Sequence, residues 1–415
     1  MLKKVLVCGS LAFLAFGSAP VRAQEAATLN LTTWQAEEPG FKDWWAEVIA
    51  AYEKANPDVD INVQKIPYKE YANQLTVRMA SGQPPEILTL STDGFGTFAE
   101  QGWLSPLDEK IKGTAIADNW SSLQSELVWQ GQTEGVLLMG YGFMLFYNED
   151  LLQKAGITPP TSFEEFMQAV PKATDRDAGI FGLAAVTMEH PTLTLDFIRF
   201  IEWQGQKLIK DGHYNLTDPG VIAAVEKYRQ TVGGNAALGN NSTMARQLFT
   251  EGKAAFLIDG PWMYSSVEKA PPEVRQHLKM IKAPFTPVLG GASNSIHIPM
   301  GLEPDVQDKA WSFIEFLSQP EWQQRYTQLT SAPAARQNIL TPELEAKAPQ
   351  LKTINDGVVG AEPIIPNVKE IRANSGEFYA ITQRAALQVL STQEPVADIL
   401  AGTQETLERT IPLGN

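Results

Sequence analysis

The chain has 415 residues, of which 44% are hydrophobic, 20% charged and 9% aromatic. That composition excludes disordered, collagen-like and low-complexity classes and leaves room for two or three domains. The 33 Lys and Arg against 48 Asp and Glu give a net charge of −15, which argues against nucleic acid or an anionic membrane surface as partner. A single cysteine excludes an intramolecular disulfide and any thiolate zinc framework.

In chain order, Lys3 and Lys4 precede an apolar run from Val5 to Phe16, and Val21-Arg22-Ala23 ends in a small residue. This pattern predicts a secretory signal peptide over residues 1–23, cleaved after Ala23. The run is too short, and too broken by glycine and serine, to span about 30 Å of hydrocarbon. Cys8 is not expected to carry a lipid, because it lies ahead of most of the apolar run and Val7 stands where a small residue would be needed. Cleavage removes three positive charges and the cysteine, leaving 392 residues with a net charge of −18. A soluble periplasmic protein is expected, and no later stretch approaches the roughly 18 apolar residues of a membrane span.

Beyond the leader, strand and helix patterns alternate. Leu29–Thr33 reads as a strand, and Phe41, Trp44, Trp45, Val48, Ile49 and Tyr52 then mark one helical face. Asn56-Pro57 ends that helix, because the residue before proline is pushed out of the α region. Val59, Ile61 and Val63 alternate as a second strand; Tyr71, Leu75 and Met79 mark a helix; Glu86–Leu90 is a third strand. Later, Met144–Tyr147 leads into a helix over Glu149–Ala155. Ser162 with Glu165 forms a capping box, Asp218-Pro219 opens a helix, and Ala254–Ile258 is a short buried strand. The alternation predicts an α/β architecture with mostly parallel sheets.

Much catalytic chemistry has no foothold. His190, His213, His277 and His297 stand in no metal-binding spacing. Neither a nucleophile elbow nor a phosphate-binding glycine loop occurs. Asp175–Gly179 lacks the third aspartate and closing glutamate of a calcium loop. No metal or cofactor is expected. A carboxylate pair for glycoside hydrolysis stays open, because its roughly 5–10 Å separation is a matter of tertiary structure.

Several segments in order carry a resemblance: Phe41 through Tyr52 to Pro57, Tyr71–Leu75, Ala80–Glu86, Phe98–Leu107, Phe146–Leu151, Lys154–Pro160, Phe163–Phe166, Phe249–Ala255 and Asp259–Trp262. Together they resemble the family 1 extracellular solute-binding proteins, the periplasmic receptors of carbohydrate ABC importers related to maltose-binding protein. The resemblance implies an α/β periplasmic binding protein fold whose two lobes close on a sugar about a hinge. It implies a carbohydrate ligand, permease subunits in the inner membrane as partners, a monomer, and no catalysis. By analogy, the first lobe is expected over residues 24–132 and 284–332, and the second over 133–283 and 333–415.

A sugar site needs aromatic platforms for C–H faces and polar groups for hydroxyls. Ligands in open α/β sheets bind beyond the carboxyl ends of strands, which selects Trp34, Gln35 and Glu38 after the first strand and Asp93 after the third. The resemblance adds Trp262, at a position that often stacks on ligand, Tyr141 near the lobe crossover, and the glycine-rich stretch with Gly290, Gly291 and Asn294. Trp203 is a candidate for the cleft or for the second core. Arg336 and Arg372 are candidates for reading an acidic or hydroxyl-rich ligand. They support an alternative cargo, an anionic sugar or polyol derivative such as glycerol phosphate, a sugar phosphate, a uronate or a sulfonate. Trp44, Trp45, Trp311 and Trp322 are expected in the core.

Overall fold

The computed structural model describes residues 26–38 and 40–414, apart from the side chains of Lys69, Thr92 and Asp93. The leader and its expected cleavage site lie outside the described residues. No described helix is long and apolar enough to cross a membrane.

The elements follow the sequence pattern closely where periodicity is strong. Trp44, Trp45, Val48, Ile49 and Tyr52 form the buried face of the helix Phe41–Ala55, which stops before Asn56-Pro57. Trp44 donates its indole N–H to the Trp322 carbonyl at 2.9 Å. Trp45 and Trp311 are in the same core, with Trp322 packed against it, as expected. The Ser162 hydroxyl accepts from the Glu165 N–H at 3.2 Å, but the Glu165 carboxylate turns to Thr161 instead of closing the box on Ser162. Asp218 caps the helix Pro219–Val232 through the Gly220 N–H at 2.7 Å.

Two sheets organise the chain into two lobes, each with its own apolar core. In the first, Ala27–Thr33 lies between the edge strand Val59–Lys65 and Ile87–Ser91, parallel to both. Leu289–His297 runs antiparallel beside Ile87–Ser91 and also pairs with Val136–Gly142. The second sheet runs in the order Leu278–Lys282, Met144–Asn148, Ala254–Asp259, Phe181–Ala184. Of its pairings only Ala254–Asp259 with Phe181–Ala184 is parallel, so the expectation of mostly parallel sheets does not hold. Strands that arrive from the other lobe enter without a βαβ crossover, and nothing then enforces a parallel direction.

The crossings explain the lobe boundaries. Val136–Gly142 in the first sheet continues directly into Met144–Asn148 in the second. The return runs from Leu278–Lys282 into Leu289–His297. Ala334, Ala335, Ile339, Val358 and Ala361 pack in the first core, and Ile364 begins the return to the second. Val136, Leu137, Leu138 and Met139 also pack in the first core, and the helix Pro349–Val358 lies against both Val136–Gly142 and Leu278–Lys282. All three crossings lie side by side: Gly290 pairs with both Gly142 and Pro363. A Cβ on Gly290 would stand 1.8 Å from the Tyr141 carbonyl oxygen, and one on Gly142 1.9 Å from that of Gly357, so these backbones pack this closely only as glycines.

Candidate functional site

A cavity of about 400 Å³ opens between the lobes beside these crossings. Its first-lobe wall joins the carboxyl ends of Ala27–Thr33 and Ile87–Ser91 to the first half of the antiparallel Leu289–His297. Trp34, directly after Ala27–Thr33, packs edge-on against Tyr71 at 4.8 Å and tilted against Tyr68 at 5.5 Å between ring centroids. The short 3-10 turn Gln35–Glu37 carries Gln35 inward and returns Glu38 to the cavity. Burial pushes the Glu38 carboxyl above its ordinary pKa.

Ser91, Met139 and Asn294 meet in register across three strands. The pairing between Leu289–His297 and Val136–Gly142 is irregular on both sides of Asn294. Such a bulge re-aims side chains, and Ala292, Ser293 and Asn294 all line the cavity. Glu126 completes this wall. Its Oε1 accepts from the Ala292 N–H at 2.6 Å, a charge-assisted bond that fixes the carboxylate against the bulge.

The second lobe contributes Pro191, Thr192 and Leu195 from the start of the helix Pro191–Glu202, Tyr379 from Ser375–Ser391, and Trp262. Tyr141 sits at the crossing, its ring 5.0 Å from Trp262 and 5.4 Å from Phe143. The cavity thus has aromatic rings on both sides, hydroxyls and an amide between them, and two carboxyl groups. No Lys, Arg or His is among the described residues lining it.

Of the residues singled out in the sequence, the fold brings together Trp34, Glu38, Tyr141, Trp262, Gly290, Gly291 and Asn294 at this cavity. Four others are elsewhere. Gln35 is fully buried beneath the wall, its N–H donating to Thr33 Oγ1 at 3.2 Å. Trp203 packs among Phe163 and Phe285 in the second core and donates its indole N–H to the Pro287 carbonyl at 3.0 Å. Arg336 lies in a first-lobe groove with Asn56 and Gln319 and donates to the Ser318 carbonyl at 2.9 Å. Arg372 is 8% exposed, with its guanidinium over the Phe95 ring and donating to the Glu126 carbonyl and Asn367. Both arginines thus lie outside the cavity. Asp93 belongs to the first turn of the helix Thr92–Glu100, and its side chain lies outside the described residues.

Sequence reasoning missed Tyr68, Glu126, Thr192 and Tyr379. Tyr68 follows the strand Val59–Lys65 as Trp34 follows the first, so the same strand-end rule would have found it. Glu126 and Tyr379 carry no local signal, since only the sheet pairing and the packing of the C-terminal helices bring them to the cavity.

Comparison with known proteins agrees with this geometry. The model of the bacterial extracellular solute-binding protein family matches residues 36–324. A galactooligosaccharide-binding protein of Bacillus subtilis is 26% identical over 282 residues, covering 64% of this chain and 64% of the relative. Among solved structures, the cyclic alpha-maltosyl-1,6-maltose binding protein of Arthrobacter globiformis aligns with a TM-score of 0.78 at 16% identity, over 93% of this chain and 99% of that one. A glycerophosphocholine-bound protein of Mycobacterium tuberculosis aligns with a TM-score of 0.77 at 19% identity, over 92% of this chain and 98% of that one.

Proposed function

We propose that this chain, which belongs to the bacterial extracellular solute-binding protein family, captures a neutral carbohydrate between its lobes and delivers it to the permease of an ABC importer. Proteins of this family bind solutes and do not transform them. The observation that carries the neutral-sugar reading is the wall itself: aromatic rings from both lobes and two carboxyl groups, with no cation among the described lining residues. Rings pack on the flat C–H faces of a sugar, while carboxylates and the Asn294 amide take its hydroxyls. The saccharide named for the Bacillus relative and that named for the Arthrobacter neighbour are of this chemistry. An anionic cargo would face Glu38 and Glu126 with no described cation beside it, and the glycerophosphocholine of the Mycobacterium neighbour is a zwitterion whose phosphate carries its own choline cation.

Ligand contacts on both lobes would favour the closed arrangement, and the three adjacent crossings are a natural hinge. The chain would act as a monomer in the periplasm after cleavage at Ala23. Intact mass of the exported protein and light scattering after size exclusion test those two points.

The test of cargo is a thermal-shift screen of the mature protein, stripped of carried-over ligand, against neutral mono-, di- and oligosaccharides, polyols, sugar phosphates and uronates. Ligand at one hundred times its dissociation constant adds about 2.7 kcal/mol. A melting shift with a neutral saccharide recovered unchanged supports the reading. Shifts confined to anionic compounds overturn it.

A further inference from the structure

Trp262 reaches the cavity from a short turn after the strand Ala254–Asp259, and such a turn does not by itself fix a ring. Its surroundings do. The indole Nε1–H donates to Asp259 Oδ1 at 3.0 Å, and the same oxygen accepts from the Gly260 N–H at 2.7 Å. The Asp259 carboxylate is in turn gripped by Arg246 from the helix Ser242–Thr250, with Nε 2.6 Å from Oδ2 and Nη2 3.1 Å from Oδ1. This planar two-point pairing fixes the plane of the carboxylate, and with it the direction of the acceptor offered to the indole. The ring also folds over Gly260: a Cβ there would stand 2.2 Å from Trp262 Cζ2 and Cη2. Tyr141, which belongs to the first sheet, meets the ring with 5.0 Å between centroids.

We propose that Arg246, Asp259 and Gly260 act as a positioning bracket that sets Trp262 as a stacking platform for the ligand, a role that rests on the carbohydrate reading above. Because the indole N–H is consumed by Asp259, Trp262 offers the ligand its ring face and not a hydrogen-bond donor. Specificity at this point therefore comes from the apolar face of a sugar ring and not from the pattern of its hydroxyls. The bracket holds the platform to the second lobe while Tyr141 touches it from the first, so the two rings share the seam that closure must preserve.

The test uses the mature chain with 15N-labelled tryptophan indoles, the Trp262 signal being assigned with W262F. In the unliganded protein, D259A is expected to shift that signal and speed its indole proton exchange at least tenfold, with D259N intermediate. G260A, acting through ring contact and sparing the ion pair, should also move the signal. An unmoved Trp262 signal in D259A and G260A overturns the bracket whatever the protein binds. For function, the neutral saccharide giving the largest melting shift in the screen is titrated into wild type, D259A, W262F and the double variant. D259A should weaken binding about tenfold in wild type and less than twofold in the W262F background. Equal losses in both backgrounds overturn the positioning role. A Trp262 signal that responds in a protein no saccharide stabilises would overturn the carbohydrate reading while upholding the bracket.

Discussion

Replacing Glu134 by glutamine is expected to make the protein more stable above neutral pH and to reshape its pH profile. The residue is 7% exposed, and its Oε2 is buried without a hydrogen-bond partner. Burial, and to a lesser degree the nearby Asp108 charge, push its pKa from 4.5 to about 7. The folded state therefore holds a proton that the unfolded state releases, so this group costs stability progressively as pH rises from about 4.5 to 7. At face value such a shift is worth about 3 kcal/mol; solvent reaching part of the carboxyl group brings the expectation down to about 1–2 kcal/mol.

His297 works in the opposite sense. It is fully buried, stacks on Phe95, donates Nδ1–H to the Glu134 carbonyl at 2.6 Å and lies 2.7 Å from the Ser295 hydroxyl. Burial lowers its pKa from 6.5 to about 4, so stability is lost as pH falls through that window. In the wild type the two trends oppose each other between about pH 4.5 and 6.5. E134Q removes one of them. Urea melts should show a variant that matches wild type near pH 4.5, rises through pH 6.5, and exceeds it by about 1–2 kcal/mol at pH 8, with an unchanged m-value. A constant offset at all three pH values, or a less stable variant at pH 8, would refute the reasoning.

Three further outcomes are expected. E38Q should weaken binding of the screened saccharide by about tenfold and flatten any rise of affinity with pH, because burial holds the Glu38 carboxyl above its ordinary pKa; isothermal titration at pH 5 and 8 measures both. R336A should leave affinity within about twofold, whereas R372M should lower the unfolding free energy from urea melts by about 1–3 kcal/mol, since it strips donors from the backbone carbonyl of the wall residue Glu126 and from Asn367. G290A should cost more than about 2 kcal/mol in a thermal melt, because its Cβ would meet the Tyr141 carbonyl at 1.8 Å inside the strand pairing at the crossings.

By itself the sequence determined the features that are local or periodic. The buried face from Trp44 to Tyr52, the stop at Asn56-Pro57, the caps at Ser162 and Asp218 and the buried strand after Lys253 all follow from spacing that only one conformation satisfies. The strand-end rule selected Trp34 and Glu38, and both line the cavity, because a residue leaving a sheet's carboxyl edge has no further strand to join. Tertiary structure decided the rest. Gln35 is adjacent to Trp34 yet turned inward by a single 3-10 turn, and Trp203 shares its residue type with Trp262 yet packs among Phe163 and Phe285 in the second core. Arg336 and Arg372 are ordinary cations in sequence, and only the tertiary fold sets them away from the cavity, against the Ser318 and Glu126 carbonyls. Glu126 reaches the cavity because the strand Leu289–His297, arriving from the other lobe, presents the Ala292 N–H to its carboxylate. Direction of pairing, crossing points and the partners of a polar side chain depend on contacts between residues far apart in the chain, and no local pattern encodes them.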